Sequence, residues 1–122
     1  MSKLLQQDRD PFAAVPVRHE RAEAREDSRG CLQIRLRLRP AFPLAEKLGL
    51  HRDVRVDLDP QGSFFWSQID GRQDLRAIEE KVRRQFSLEP DESRKATLTF
   101  TKLLMLRHLI QLDIRPEALR HA

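Results

Sequence analysis

Apolar residues occupy every second position in two short segments near the middle of the chain. One segment runs from Leu32 to Leu38 with glutamine and arginine between the apolar residues, and the other covers residues 54–58. A period of two is typical of a strand that buries one face. We therefore predict two strands, separated by Pro40 and Pro43 and by a short helical turn over residues 44–49 that Gly49 closes.

Three helices are predicted after the second strand. Asp59 and Pro60 form a start signal, because aspartate caps free amides and proline at the first position loses no hydrogen bond. Asp74 marks the start of the second helix in the same way. Its apolar residues recur at spacings of three and four: Leu75, Ile78, Val82 and Phe86.

The third predicted helix follows Pro90 and continues to about His108. Asp91 and Glu92 suit its first turn, where the helix dipole favours negative charge. The helix is apolar over a wide arc between Leu103 and Leu106, so part of it is expected either to enter the core or to face a partner. Alternation returns over residues 110–114 and predicts a short closing strand.

Residues 1–29 mix equal numbers of acidic and basic residues and offer little to bury. We expect this flexible, charged N-terminal arm to be mobile or a solvated helix. The domain is placed at residues 30–115, with a C-terminal tail at 116–122. The predicted fold class is α+β and winged helix-turn-helix-like: a small N-terminal antiparallel β-sheet, three helices and a short closing strand.

The chain has 122 residues and a formal net charge of +4, which allows one modest core. The basic excess lies in residues 30–58, where Arg35, Arg37 and Arg39 alternate along one strand face and are interpreted mainly as solvated. No apolar run reaches the length of a membrane span, and the N-terminus turns polar too early for a signal peptide. We expect a cytoplasmic protein that does not associate with membranes.

Residues suited to catalysis or metal binding are scattered. The four histidines lack zinc-ligand spacing, and Cys31 is expected to be a structural thiol. The carboxylates of Glu79 and Glu80 are predicted to lie on a helix surface. Trp66 is interpreted as a core anchor rather than a ligand platform. We therefore expect no enzymatic activity, no metal and no cofactor.

The order of short motifs in the second half of the chain resembles the PqqD family. The motifs are Leu58-Asp59-Pro60-Gln61-Gly62-Ser63-Phe64-Phe65-Trp66, Ile69-Asp70-Gly71-Arg72, Leu75-Arg76-Ala77-Ile78, Phe86-Ser87-Leu88-Glu89-Pro90 and the segment from Leu103 to Ile110. The resemblance covers roughly residues 54–114. It implies a peptide recognition element for ribosomally synthesised, post-translationally modified peptides, a peptide chaperone of the kind used in PQQ biosynthesis.

In that family a precursor (leader) peptide adds as a strand to the N-terminal sheet and lies against the third helix, for presentation to a radical S-adenosylmethionine enzyme or another peptide-modifying enzyme. Carried onto this sequence, the resemblance implies a peptide-binding site on the second strand and the third helix: Val54, Arg55, Val56, Asp57, Leu58, Lys102, Leu103, Leu106 and Arg107. Arg55 and Lys102 would pair with acidic leader residues. The apolar members of this set equally suit a core.

Family members usually have three strands before the first helix, whereas only two are predicted here. Residues 40–52 carry two prolines and a helix-like stretch where a middle strand would lie. The alternative function is that of a DNA-binding winged helix-turn-helix regulator, although nucleic acid is an unlikely partner because residues 59–122 are nearly charge-balanced. A structural subunit of a larger assembly is a third possibility. A free strand edge would also permit a homodimer.

Overall fold

The computed structural model describes residues 10–38, 44, 47–49 and 52–114. A 3-10 turn at Pro11–Ala13 opens this part of the chain. The elements that follow, in order, are β1 Val15–Arg18, β2 Glu23–Glu26, β3 Leu32–Leu38, β4 Arg52–Asp57, α1 Pro60–Ser67, α2 Leu75–Phe86, α3 Pro90–Leu106 and β5 Ile110–Asp113. The predicted α+β class is confirmed, and the helix order is compatible with a winged helix-turn-helix.

The antiparallel sheet β2-β3-β4 contains both predicted strands. Ile34 lies opposite Val56, and Leu36 lies opposite Val54. Ile34 and Leu36 are almost fully buried, as period-two alternation requires when one sheet face covers a core. β4 begins at Arg52, two residues before the predicted start, and its pairing extends past its last residue because the Leu58 amide donates to the Leu32 carbonyl at 2.9 Å.

The prediction for residues 1–29 is wrong where the structure describes them, because residues 15–18 and 23–26 are strands. β2 is the third strand of this sheet in the described part of the chain, so three strands precede α1 in the sheet, the first of them from the N-terminal segment. Within 40–52, Leu48 donates to the Leu44 carbonyl at 3.0 Å and Gly49 has a φ of 70°, as the predicted turn requires. Residues 1–9 lie outside the described part.

β1 pairs with β5 and joins the N-terminal segment to the core. Val15 is 2% exposed. Arg18, at the end of β1, lies over the Trp66 ring with 4.8 Å between its guanidinium carbon and the ring centroid, and it also donates to the Trp66 carbonyl. Burial lowers the pKa of Arg18, and nearby Asp70 offsets this only in part. The segment expected to be an arm is therefore part of the packed domain.

Side-chain caps start α1 and α2 where the sequence predicts them. The Asp59 carboxylate accepts from the Gly62 amide at 2.7 Å, and the Asp74 carboxylate accepts from the Ala77 amide at 2.9 Å. α3 begins at Pro90 and ends at Leu106, slightly before the predicted end. Trp66 is buried in the core between the sheet and the helices, as expected. None of the helices in the described ranges is long and apolar enough to cross a bilayer.

Candidate functional site

The outer edge of β4 is open in the part of the chain that the structure describes, because β4 pairs only with β3. In an antiparallel pair, residues alternate between those that bond to the neighbouring strand and those whose backbone groups point away from it. Leu58 donates to β3, so Val54 and Val56 also face β3. The amides and carbonyls of Asp53, Arg55 and Asp57 consequently face the open edge.

The side chains of β4 divide between the core and solvent. Val56 and Leu58 are buried, at 8% and 6% exposed, and Val54 is half-buried against the core. Arg55 and Asp57 are exposed on the opposite face of the sheet. A ligand at this strand would therefore meet backbone groups along the edge, while Val56 and Leu58 are largely covered by their own protein.

Gly62 allows α3 to approach the end of β4 closely. A Cβ atom at residue 62 would lie 3.0 Å from Phe100 Cε1 and 3.3 Å from Leu58 Cδ2, distances at which carbon atoms begin to overlap. The Phe100 ring also stacks on Phe65, with 5.7 Å between centroids. The middle of α3 therefore packs against the first turn of α1, and this turn comes shortly after β4 in the sequence.

The α3 residues predicted to contact a peptide differ in burial. Leu103 is half-buried and packs on the core, whereas Lys102, Leu106 and Arg107 are exposed. Leu106 is 69% exposed, so the wide apolar arc of α3 does leave apolar surface uncovered. Lys102 belongs to a helix on the core side of the sheet, and Arg55 projects from the other side. The two cations therefore do not share one face.

Alternating charges lie along the open edge, on the solvent-exposed face of the sheet. Arg55 Nε lies 3.8 Å from Asp57 Oδ1, and Arg37 Nε lies 3.9 Å from Asp53 Oδ1. The Asp57 carboxylate also accepts from Gln33 Nε2 at 2.8 Å. These ion pairs are long and exposed, so each contributes little to stability, about 0 to 1 kcal/mol.

A buried polar cluster around Glu79 joins α2 to α3. The prediction that Glu79 lies on the helix surface is therefore wrong. Glu79 is 3% exposed. Its carboxylate accepts from Arg83 Nε at 2.8 Å and from the Ser93 hydroxyl at 2.5 Å. Burial opposes ionisation of Glu79, but the hydrogen bonds from Arg83 and Ser93 outweigh it and lower its pKa. The i,i+4 spacing of Glu79 and Arg83 was a signal for this pair.

Two residues that shape the site were not predicted from the sequence as part of it. Gly62 and Phe100 matter because they bring α3 against the first turn of α1, next to Leu58 at the end of β4. The only trace in the sequence is a glycine inside a helix, which usually costs stability and so indicates a close approach. As for metals, no group of three or more His, Cys, Asp or Glu residues within the described ranges could hold an ion.

One comparison with known proteins identifies a relationship. A family model described as coenzyme PQQ synthesis protein D (PqqD) matches residues 48–110, just over half of the 122-residue chain. The match runs from the turn before β4 to the first residue of β5, and so includes the open strand edge and all three helices. Neither the curated proteins nor the solved structures contain a match to the chain.

Proposed function

The chain belongs to the family of coenzyme PQQ synthesis protein D (PqqD), and we propose on this premise that it is a non-enzymatic accessory protein that binds a precursor (leader) peptide. It presents this peptide to a modifying enzyme, in PQQ synthesis or in the maturation of another ribosomally made peptide. The observation that carries the proposal is the open edge of β4 beside α3.

The edge offers backbone hydrogen bonds to an added strand. The outward amides and carbonyls of Asp53, Arg55 and Asp57 are in register for an extended peptide, and peptide recognition by strand addition derives its affinity from such bonds. Since every peptide has the same backbone, this affinity is independent of sequence. Selectivity must then come from the side chains on the two faces of the added strand.

Apolar side chains of the peptide would lie on the face that looks toward α3. Val54 on β4 and Leu103 on α3 are half-buried against the core, and Leu106 is exposed on the last turn of α3; these side chains would border the bound peptide. Covering these residues would remove apolar surface from water at about 25 cal/mol per Å². Val54, Leu103 and Leu106 are thus assigned to the apolar wall, with Lys102 and Arg107 as charged residues at its margin.

The modifying enzyme, a radical S-adenosylmethionine enzyme or another peptide-modifying enzyme, would meet the peptide while it is held on this edge. A second copy of the chain is a competing occupant, because an uncovered strand edge pairs readily with another edge. A homodimer formed through β4 would hide the peptide site. Peptide binding would then shift the equilibrium toward the monomer.

The test compares two variants at one edge position. Arg55→Pro removes an outward amide and leaves the bonds to β3 intact, which is the arrangement in which edge strands accept proline. Arg55→Ala removes the same guanidinium but keeps the amide. Titration calorimetry would use overlapping synthetic peptides that cover the short reading frames beside the gene, with scrambled peptides as the reference.

We expect the wild-type protein to bind one peptide much more tightly than its scrambled version. Arg55→Ala should change this affinity little, and Arg55→Pro should weaken it by up to about tenfold, the equivalent of one lost hydrogen bond. Equal affinity for the specific and scrambled peptides would overturn the proposal. An unchanged affinity in Arg55→Pro would place the peptide elsewhere on the protein.

The alternative function is DNA binding through α3, which exposes Arg94, Lys95 and Lys102 and is followed by exposed Arg107. Arg94 is already paired with Asp91, and the last turn of α3 exposes Met105 and Leu106. A gel-shift series at increasing salt separates the two functions, because phosphate contacts weaken steeply with salt. A specific, salt-sensitive complex would favour the regulator over the peptide-binding protein.

A further inference from the structure

The charges beside the open edge follow the cross-strand register of the sheet. Glu23 of β2 lies opposite Arg35 of β3, which in turn lies opposite Arg55 of β4. The first pair joins unlike charges and the second joins like charges, which disfavour one another when directly opposite. Arg55 is therefore the end of a row in which the next strand outward is the place for a negative charge.

Arg55 has only a weak internal partner. Its ion pair with Asp57 spans 3.8 Å, and the two side chains are 58% and 71% exposed. Asp57 also accepts from Gln33, so its charge is shared. An acidic side chain directly opposite Arg55 on an added strand would meet the guanidinium on the same face of the sheet, with little lost by displacing Asp57.

The two residues that flank Arg55 on the same face carry the opposite charge. Asp53 has a long ion pair with Arg37, at 3.9 Å, in which the Asp53 side chain is 61% exposed and the Arg37 side chain 92% exposed. Asp53, Arg55 and Asp57 are also the residues whose backbone groups face outward. The backbone bonds of an added strand would therefore place its side chains opposite these three charges.

We propose that the edge of β4 selects a peptide segment with the order basic, apolar, acidic, apolar, basic. The charged positions lie opposite Asp53, Arg55 and Asp57, and the apolar positions lie beside Val54 and Val56 and look toward α3. The order is the same from either end, so it holds for both directions of the added strand. This inference rests on the proposed function and names the class of peptide that the same edge takes.

The experiment uses the full chain and synthetic peptides with identical uncharged flanks and blocked ends. The probe carries the core Lys-Val-Glu-Val-Lys, and its scramble Glu-Val-Lys-Val-Lys has the same composition. A charge-reversed core, Glu-Val-Lys-Val-Glu, is the third peptide. Because the protein carries a net charge of +4, general attraction would favour the reversed, anionic peptide, whereas the register favours the cationic probe.

We expect the probe to bind about tenfold more tightly than the scramble and the reversed peptide at low salt, from a few cross-strand pairs of modest strength. Arg55→Glu should move the preference to Lys-Val-Lys-Val-Lys. Arg25→Glu makes the same charge change on β2, at the far edge of the same sheet face, and should leave the preference for the probe unchanged.

The outcomes separate this inference from the function on which it rests. Equal binding of all the peptides, or tighter binding of the reversed peptide, overturns the charge order and leaves strand addition standing. Binding of none of them overturns the charge order, and the titration with peptides from the neighbouring reading frames decides the function separately. Circular dichroism and thermal melting of Arg55→Glu establish that the variant is folded. The comparison of the peptides on the wild-type protein tests the charge order without any variant.

Discussion

The Phe100 ring of α3 stacks on the Phe65 ring of α1, with 5.7 Å between the centroids and 30° between the planes. Phe65 is completely buried and Phe100 is half-buried. This contact, together with the close approach of Phe100 to Gly62, seats α3 beside the end of β4. The position of α3 relative to the end of β4 therefore depends on one aromatic side chain in the middle of a helix.

Replacing Phe100 by alanine should destabilise the protein by about 2 kcal/mol, less than for a fully buried phenylalanine because part of the ring is exposed. Urea unfolding measures the change in the free energy of unfolding. Leu98→Ala is the control on the same helix, since Leu98 is 42% exposed, and its effect should stay within about 0.5 kcal/mol. Equal effects of the two variants would mean that Phe100 does not hold α3 against α1.

Glu79 should make stability depend on pH in the acid range. Its pKa in the folded protein is lower than its ordinary value of 4.5, because hydrogen bonds from Arg83 and Ser93 outweigh the effect of burial. Its contribution is therefore fully present above about pH 4.5 and is lost as the pH falls through the folded pKa. Glu79→Gln should cost about 1 to 3 kcal/mol at pH 7, and its difference from the wild type should shrink toward pH 3.

The measurement is urea unfolding at pH 7, 5 and 3. Glu80→Gln serves as the matched control, because Glu80 is the next residue of α2 and is exposed. It should change stability by no more than about 0.5 kcal/mol at any of these values. A Glu79→Gln variant whose deficit is the same at pH 3 as at pH 7 would mean that the carboxylate charge has no part in the cluster.

The packing of β1 is tested by two valines of the same strand. Val15 is 2% exposed and Val17 is 40% exposed. Val15→Ala should cost about 2 kcal/mol through lost burial and an imperfectly filled cavity, whereas Val17→Ala should cost less than about 0.5 kcal/mol. Thermal and urea unfolding would measure both. If Val15→Ala were as mild as Val17→Ala, β1 would be an attached arm rather than part of the core.

Local sequence patterns were sufficient to predict most of the helices and strands. The strict alternation at Leu32–Leu38, the caps at Asp59 and Asp74 and the helical spacing of Leu75, Ile78 and Val82 each depend on neighbours in the sequence. All of these elements are present, with ends displaced by a few residues at most. Their agreement reflects hydrogen bonds and periodic burial that the local chain determines by itself.

The sequence pattern failed to predict β1 and β2, the two strands of the N-terminal segment. β1 has only four residues, of which Val15 and Pro16 are buried, and becomes a strand because β5, almost a hundred residues later, offers an edge. β2 is a strand of wholly exposed residues that pairs with β3. Neither has an amphipathic signal, because backbone pairing rather than side-chain burial accounts for much of their order.

Some features of the candidate site likewise follow from local sequence, and others follow only from the tertiary structure. The sequence by itself determined which residues lie on strand β4 and helix α3. Through its family motifs it also indicated that these two elements form a peptide-binding site. Only the tertiary structure decided that the outer edge of β4 is open among the described residues, that Val56 and Leu58 are covered, and that Arg55 and Lys102 lie on different sides of the sheet. Strand pairing and burial depend on contacts between segments that are distant in the sequence, and local periodicity carries no information about those contacts.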